Sequence, residues 1–247
     1  MSRSVRTEGV VLRSMRYAEA DKILHIYTPD RGRIGAIAKG ARKTKSRFGG
    51  RLEPFHRVAL MLHQGRSDLM TVTSVETVAP YSNLCLDAGA LDNASRACDA
   101  VTRLFEHSEP HEEVFHLLCN ELALLNDRAR GGQSDPRELH ANQLAFRLKL
   151  LLAAGFTPML SSCVTCGEAE EIAGFSGAAG GVVCSACEGS SFPLDQEAHE
   201  FMTAALGSPL ARAPQASERA LRQTERAVSE TVEHHAHTRL RVAAAAR

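Results

Sequence analysis

Over the first eighty residues, short apolar runs alternate with polar and turn-forming positions. Residues 10–12, 23–27, 34–38, 58–62 and 69–78 are of strand length, rich in β-branched side chains and separated by turn signals. One such signal, Thr28-Pro29-Asp30-Arg31-Gly32, has a mechanism: Pro29 presets φ, Asp30 can bond the backbone and Gly32 tolerates positive φ. Five short strands in so little chain predict a small barrel, because closure removes exposed strand edges. An OB-like barrel leads, with an SH3-like barrel as the other arrangement the pattern allows.

From about residue 84 the period changes to that of helices. Leu91, Ala94, Cys98, Val101 and Leu104-Phe105 recur at helical spacing, as do Val114, Phe115, Leu118, Leu122 and Leu125, and then Leu139, Leu144, Phe146, Leu148 and Leu151-Leu152. Asp135-Pro136 marks a helix start, Gly155 is placed to end that helix, and residues 128–134 read as a loop. Helical character returns over 196–206 and 218–238, and residues 243–246 are expected to fray. The fold class is therefore α+β and multidomain: an OB-like barrel over 1–80, then a helical domain over 81–247 with a module inserted at about 160–192. No run approaches the length of a membrane span, and residues 1–12 carry no apolar secretory core, so a cytoplasmic location is expected.

The inserted module carries the most specific chemistry. Cys163, Cys166, Cys184 and Cys187 read C-x2-C, a gap of seventeen residues, C-x2-C. Each close pair can present two sulfurs to one ion, and the gap accommodates a hairpin that brings the second pair opposite the first. The expectation is one structural zinc ion per chain, since four thiolates leave no open position for substrate. Disulfides or unmetallated thiols are the alternatives. Cys85, Cys98 and Cys119 fall in or near apolar helical patterns and are read as small core residues.

The formal net charge of zero hides a polarity. Residues 1–80 hold fifteen basic and seven acidic side chains, a net +8, and the remainder a net −8. Arg31, Arg33, Lys39, Arg42, Lys43, Lys45, Arg47 and Arg51 lie in a stretch without Asp or Glu, with glycines and Phe48 among them and Tyr17, Tyr27 and Phe55 nearby. Cations that neutralise phosphates, beside rings on which bases stack, are the chemistry of single-strand binding. For Phe48 and Phe55, core packing is the equal alternative.

Catalytic patterns fail on spacing. Gly35 and Gly40 are spaced like a phosphate loop, but Ala41-Arg42 stand where Lys and Ser or Thr are needed. His111-Glu112 is followed by His116, an i+5 pair on different helix faces. His111 and Glu113 match half of a deaminase signature, but Ser162, not Pro, precedes Cys163. His234, His235 and His237 read as a solvated helix face. With no complete acid–base constellation, the chain is not expected to be an enzyme.

These elements in this order resemble the RecO family of bacterial recombination mediators over nearly the whole chain. Glu8-Gly9-Val10-Val11-Leu12 and Glu19-Ala20-Asp21-Lys22-Ile23-Leu24 resemble its first two strands. Lys39-Gly40-Ala41-Arg42-Lys43 and Lys45-Ser46-Arg47-Phe48 resemble its basic loop, and Leu52-Glu53-Pro54-Phe55 the segment after that loop. Gly155-Phe156-Thr157-Pro158 and Gly180-Gly181 resemble its approach to the cysteines. The resemblance implies an N-terminal OB fold, binding to single- and double-stranded DNA, annealing of complementary strands, and partnership with RecR and the acidic C-terminal tail of single-strand binding protein, leading to RecA loading. Arg147 and Lys149 are the expected contacts for that tail. The alternative is a zinc-ribbon nucleic-acid factor of another pathway, in transcription or RNA handling.

Overall fold

The computed structural model describes residues 3–65, 67–106, 109–187, 189 and 191–241; the expected fraying of 243–246 lies outside them. Strands β1 (Arg3–Tyr17), β2 (Asp21–Thr28), β3 (Gly32–Ala38), β4 (Arg57–Gln64) and β5 (Met70–Ala79) close into a barrel in the order β1-β2-β3-β5-β4. All pairings are antiparallel except β3 with β5, where Ala36 faces Met70 and Ile37 faces Thr71. This is the OB-like arrangement, with a helical domain after it.

Strand β1 is far longer than its apolar centre suggests. Its first half, Arg3 to Val10, pairs with β4, and its second half, Val10 to Tyr17, pairs with β2. One strand thus serves two neighbours and closes the barrel. A register shift between Val11 and Arg13 bends it from one partner to the other. Gly9 sits at that handover, where a Cβ would lie 2.5 Å from the Ile26 side chain. Only a residue without a side chain lets β1 approach β2 there.

The barrel core is formed by Val11, Leu24, Ile26, Ala36, Val58, Leu60, Leu62 and Val72, joined by two residues from the β3–β4 connection, Phe48 and Leu52. Both are 1% exposed. Phe48 is therefore core, not a stacking surface.

Helices α1 (Ala88–Leu104) and α2 (Glu112–Ala129) pack with the barrel. By packing, the chain forms two compact units, 1–132 and 133–247. The expected boundary near residue 80 marks the change of secondary structure, whereas packing carries the first unit on through both helices. Asp87 caps α1 by accepting from the Ala90 N–H at 3.0 Å. The Tyr27 and Phe105 rings meet edge to face, Arg57 lies over the Phe115 ring, and the Tyr81 hydroxyl donates to the Cys119 carbonyl at 3.3 Å.

The second unit holds α3 (Pro136–Ala153), a three-stranded sheet of β6 (Ile172–Ser176), β7 (Gly181–Cys184) and β8 (Phe192–Pro193), then α4 (Gln196–Gly207) and α5 (Glu218–His235). Asp135 caps α3, with Pro136 in its first turn. Gly155 closes it at φ +77°, and the Phe156 N–H reaches back to the Leu151 carbonyl at 2.8 Å. Nearly every side of α3 is buried between Leu139 and Leu151. Among the described residues, no helix is long and apolar enough to cross a membrane.

Replacing Phe48 with Ala is expected to cost about 3–5 kcal/mol of stability in urea unfolding, as for a fully buried aromatic. A loss under about 1 kcal/mol would mean that the ring is not part of the core.

Candidate metal centre and nucleic-acid interface

The metal centre is built by backbone pairing around a glycine. The Met159 N–H donates to the Gly180 carbonyl and the Val182 N–H to the Met159 carbonyl, both at 2.9 Å. A Cβ on Gly181 would lie 2.4 Å from that Met159 oxygen, so this approach requires glycine. It lays the segment carrying the first cysteine pair alongside β7, which ends in Cys184. The Val164 N–H adds a bond to the Val182 carbonyl at 2.9 Å. The first pair turns back through Gly167, whose N–H donates to the Cys163 carbonyl at 2.8 Å. The second pair is split between the last residue of β7, Cys184, and a short 3-10 turn, Ser185–Cys187, that supplies Cys187.

As a result the four sulfurs all lie within 4.8 Å of one another, and those of Cys166 and Cys184 are 3.6 Å apart. Metal–sulfur bonds of about 2.3 Å in a tetrahedron would separate sulfurs by about 3.8 Å. All four are free thiols. Cys163 and Cys184 are buried, Cys187 is partly buried and Cys166 is exposed. The backbone N–H of Cys184 and further donors hold the pKa of the Cys163 thiol down to about 6. Hydrogen bonding with Cys166, then Cys184, pushes that of the Cys187 thiol up to about 12. Four sulfurs this close cannot all ionise without a cation among them. The donors, their number and their separation fit a metal ion, and the set leaves no place for a catalytic water.

The predicted basic segment divides in two. Lys39, Arg42, Lys43, Lys45, Arg47 and Arg51 lie in the β3–β4 connection and are exposed. Arg47 lies over the Phe48 ring at 4.8 Å, and the Arg51 guanidinium donates to the Arg47 and Phe48 carbonyls at 3.3 and 3.4 Å. Arg31 and Arg33 are at the other end of β3, about 20 Å along the strand. Arg31 pairs with Asp30 at 3.5 Å. The Arg33 guanidinium donates to the Thr102 and Glu106 carbonyls at 3.5 and 2.9 Å, at the C-terminal end of α1. A cation there offsets the negative end of the helix dipole. Arg33 is thus engaged with α1 and stands apart from the loop cations. Strand β3 separates in space what is close in sequence. Arg16 and Lys22, paired across β1 and β2, stand beside the loop instead. Their cross-strand spacing was the available signal, but it is visible only once β1 extends to Tyr17.

The expected partner contacts also move inward. Arg147 is 1% exposed. Its guanidinium lies 3.7 Å from Glu225 and donates to the Arg241 carbonyl. Lys149 donates to the Leu206 carbonyl at 3.0 Å, and desolvation lowers its pKa. Arg147 is thereby corrected from a surface contact to an interior residue of the second unit. His111 and His116 pair with Glu113 and Glu112, and His235 faces the Gly177 carbonyl at 2.9 Å.

Comparison with known proteins agrees with this architecture. The family model described as Recombination protein O N terminal matches residues 1–81, and that described as Recombination protein O C terminal matches residues 87–243. The chain belongs to the RecO family. A DNA repair protein RecO of Rubrobacter xylanophilus is 36% identical over 230 residues, covering 90% of this chain and 89% of the relative. One of Bifidobacterium adolescentis is 41% identical over 184 residues, or 72% of each chain. One of Alkaliphilus metalliredigens is 37% identical over 186 residues, covering 75% and 72%. The RecO N-terminal match spans the barrel and its basic loop, and the C-terminal match spans the cysteine cluster.

Two outcomes are expected of this RecO chain. Cys163→Ser and Cys184→Ser should each lose bound metal and melt at lower temperature, because a metal held only by the folded state contributes folding energy; metal content unchanged in both variants would remove the four-sulfur site. Arg33→Ala should cost about 1 kcal/mol of stability and leave strand affinity unchanged; weakened strand binding at full stability would return Arg33 to the interface.

Proposed function

We propose that this chain is a recombination mediator that binds single- and double-stranded DNA, anneals complementary strands and, with RecR, helps load RecA onto strands coated by single-strand binding protein. The observation that carries this reading is the exposed run of Lys39, Arg42, Lys43, Lys45 and Arg47 on an OB-like barrel, in a chain whose relatives are named for DNA repair. Complementary strands repel through their phosphates. A surface that neutralises both lowers that barrier and concentrates them, and this requires no bond to be made or broken. The work would take place at the nucleoid in the cytoplasm.

Zinc is the ion this reading assigns to the cysteines. Thiolates are soft donors, a four-cysteine set suits tetrahedral zinc, and a closed shell gives it a structural role. Cys163, Cys166, Cys184 and Cys187 would hold it, one ion per chain, tying β7 to the segment before β6. Contact with the tail of single-strand binding protein belongs to the same reading, at a surface other than Arg147.

The test is annealing of two complementary oligonucleotides pre-coated with single-strand binding protein. Acceleration is expected from the native chain and not from a Lys43→Ala, Lys45→Ala, Arg47→Ala variant. In direct binding to a single strand, that variant should have a log affinity–log salt slope shallower by up to about 2, at about 0.7 for each phosphate no longer neutralised. No acceleration by folded, metal-loaded protein would overturn the mediator reading in favour of a zinc-ribbon nucleic-acid factor of another pathway.

A further inference from the structure

Beside the basic loop, the barrel mouth holds an open pocket of about 450 Å³. Ser14, Arg16 and Lys22 come from β1 and β2, and Arg42, Gly49 and Glu53 from the β3–β4 connection. In the β1–β2 register Ser14 faces Leu24 and Arg16 faces Lys22. Residues paired across a sheet point to the same side. Leu24 is a core residue, so Arg16 and Lys22 continue the inner face of the barrel past its last apolar layer.

The pocket walls are tied together. The Arg42 N–H donates to the Ala20 carbonyl and the Gly40 N–H to the Asp21 carboxylate, both at 2.8 Å, which fixes the loop to the β1–β2 turn. Lys22 meets Glu53 at 2.7 Å. The Arg42 guanidinium donates to the Glu19 carbonyl at 3.2 Å. Among the described residues the Arg16 side chain makes no hydrogen bond or ion pair. Three cations and one carboxylate give the pocket a net positive lining, suited to an anion and not to an apolar ligand.

Tyr17 comes next after Arg16 and, by strand alternation, lies on the opposite face of the same strand tip. It is 50% exposed and is the aromatic residue among the exposed large apolar side chains described. Bases stack on exposed rings with little regard to sequence.

We propose that this pocket is a phosphate subsite for one backbone unit of a single strand, and that the strand crosses the tip of the β1–β2 hairpin so that a neighbouring base lies on Tyr17. The proposal rests on the single-strand-binding reading above and adds residues outside the basic loop. Arg16 and Arg42 bind the phosphate. Glu53 carries the wrong charge for this ligand, and its pairing with Lys22 keeps it from closing the site to anions.

The chain supplies its own reporter. It has three tyrosines and no tryptophan, and Tyr27 and Tyr81 are buried. Oligothymidylate titrated into the full chain should quench tyrosine emission. Tyr17→Phe should bind with nearly the same affinity and show no quenching. Arg16→Ala should make the log–log salt slope shallower by about 0.7. Glu53→Gln should bind about threefold tighter at low salt, the effect of removing one like charge near a phosphate in a water-like dielectric; a misfolded variant would not show this gain. Saturation of the native chain without quenching, an unchanged slope in Arg16→Ala, or weaker binding by Glu53→Gln would each overturn the subsite while leaving single-strand binding intact. A folded native chain that binds no strand would overturn the reading on which the subsite rests.

Discussion

The burial of Phe48 and Leu52 decides where this chain presents its positive charge. The connection between β3 and β4 carries six cations and a single carboxylate, Glu53. A segment of that composition, left to itself, is a solvated and self-repelling coil. Here two apolar side chains anchor it in the barrel core. Each contributes roughly 2–3 kcal/mol of burial, against about 1 kcal/mol or less for each repulsive pair of exposed cations in water. Successive turns add backbone bonds, from the Lys43 N–H to the Gly40 carbonyl and from the Ser46 N–H to the Lys43 carbonyl. The loop is therefore a fixed array of charge, and a fixed array loses less conformational entropy when it meets a polyanion.

The cysteine module works from the opposite balance. Its own apolar cluster consists of Cys163, Val183 and Cys184, with Val164 and Cys187 against it. So few side chains supply little burial, and most of them are the sulfurs themselves. The thiols cannot all ionise where they stand, as the opposed displacement of Cys163 and Cys187 illustrates. A cation among them resolves the repulsion and replaces the missing core with bonds. The glycine at 181, which lets Met159 approach β7, is as necessary to that arrangement as the ligands.

Much of this architecture is legible in the sequence. The centres of β2 to β5 are marked by apolar runs with turn signals, and the ends of α3 by Asp135-Pro136 and Gly155, because short-range sterics decide both. The sulfur cluster is marked by spacing alone. The features that escape such reading are set by distant parts of the chain. The ends of β1 are polar because each half has one exposed side, and only pairing with two different neighbours makes them strand. Arg31 and Arg33 are near the loop cations in sequence, and a seven-residue strand carries them to the other end of the barrel. Arg147 has the composition of an accessible cation, but it is flanked by Leu144, Phe146, Leu148 and Leu151 on a helix buried on nearly every side. A charge within such a pattern is buried and paired unless something opens the helix to water.

The two ends of β3 differ in what their cations meet. At the Arg33 end, Val10, Tyr27, Arg33 and Arg57 lie in register across three strands and the closing strand. Tyr27 packs on Phe105, Arg33 caps α1, and Arg57 pairs with Glu8 and covers Phe115. Every cation in that belt has a partner supplied by the same compact unit. At the Ala38 end the connection returns over the barrel mouth with its cations pointing outward. Docking α1 and α2 on one end therefore does more than bury apolar surface. It engages Arg33 and Arg57 there, while the six cations of the loop remain exposed at the other end.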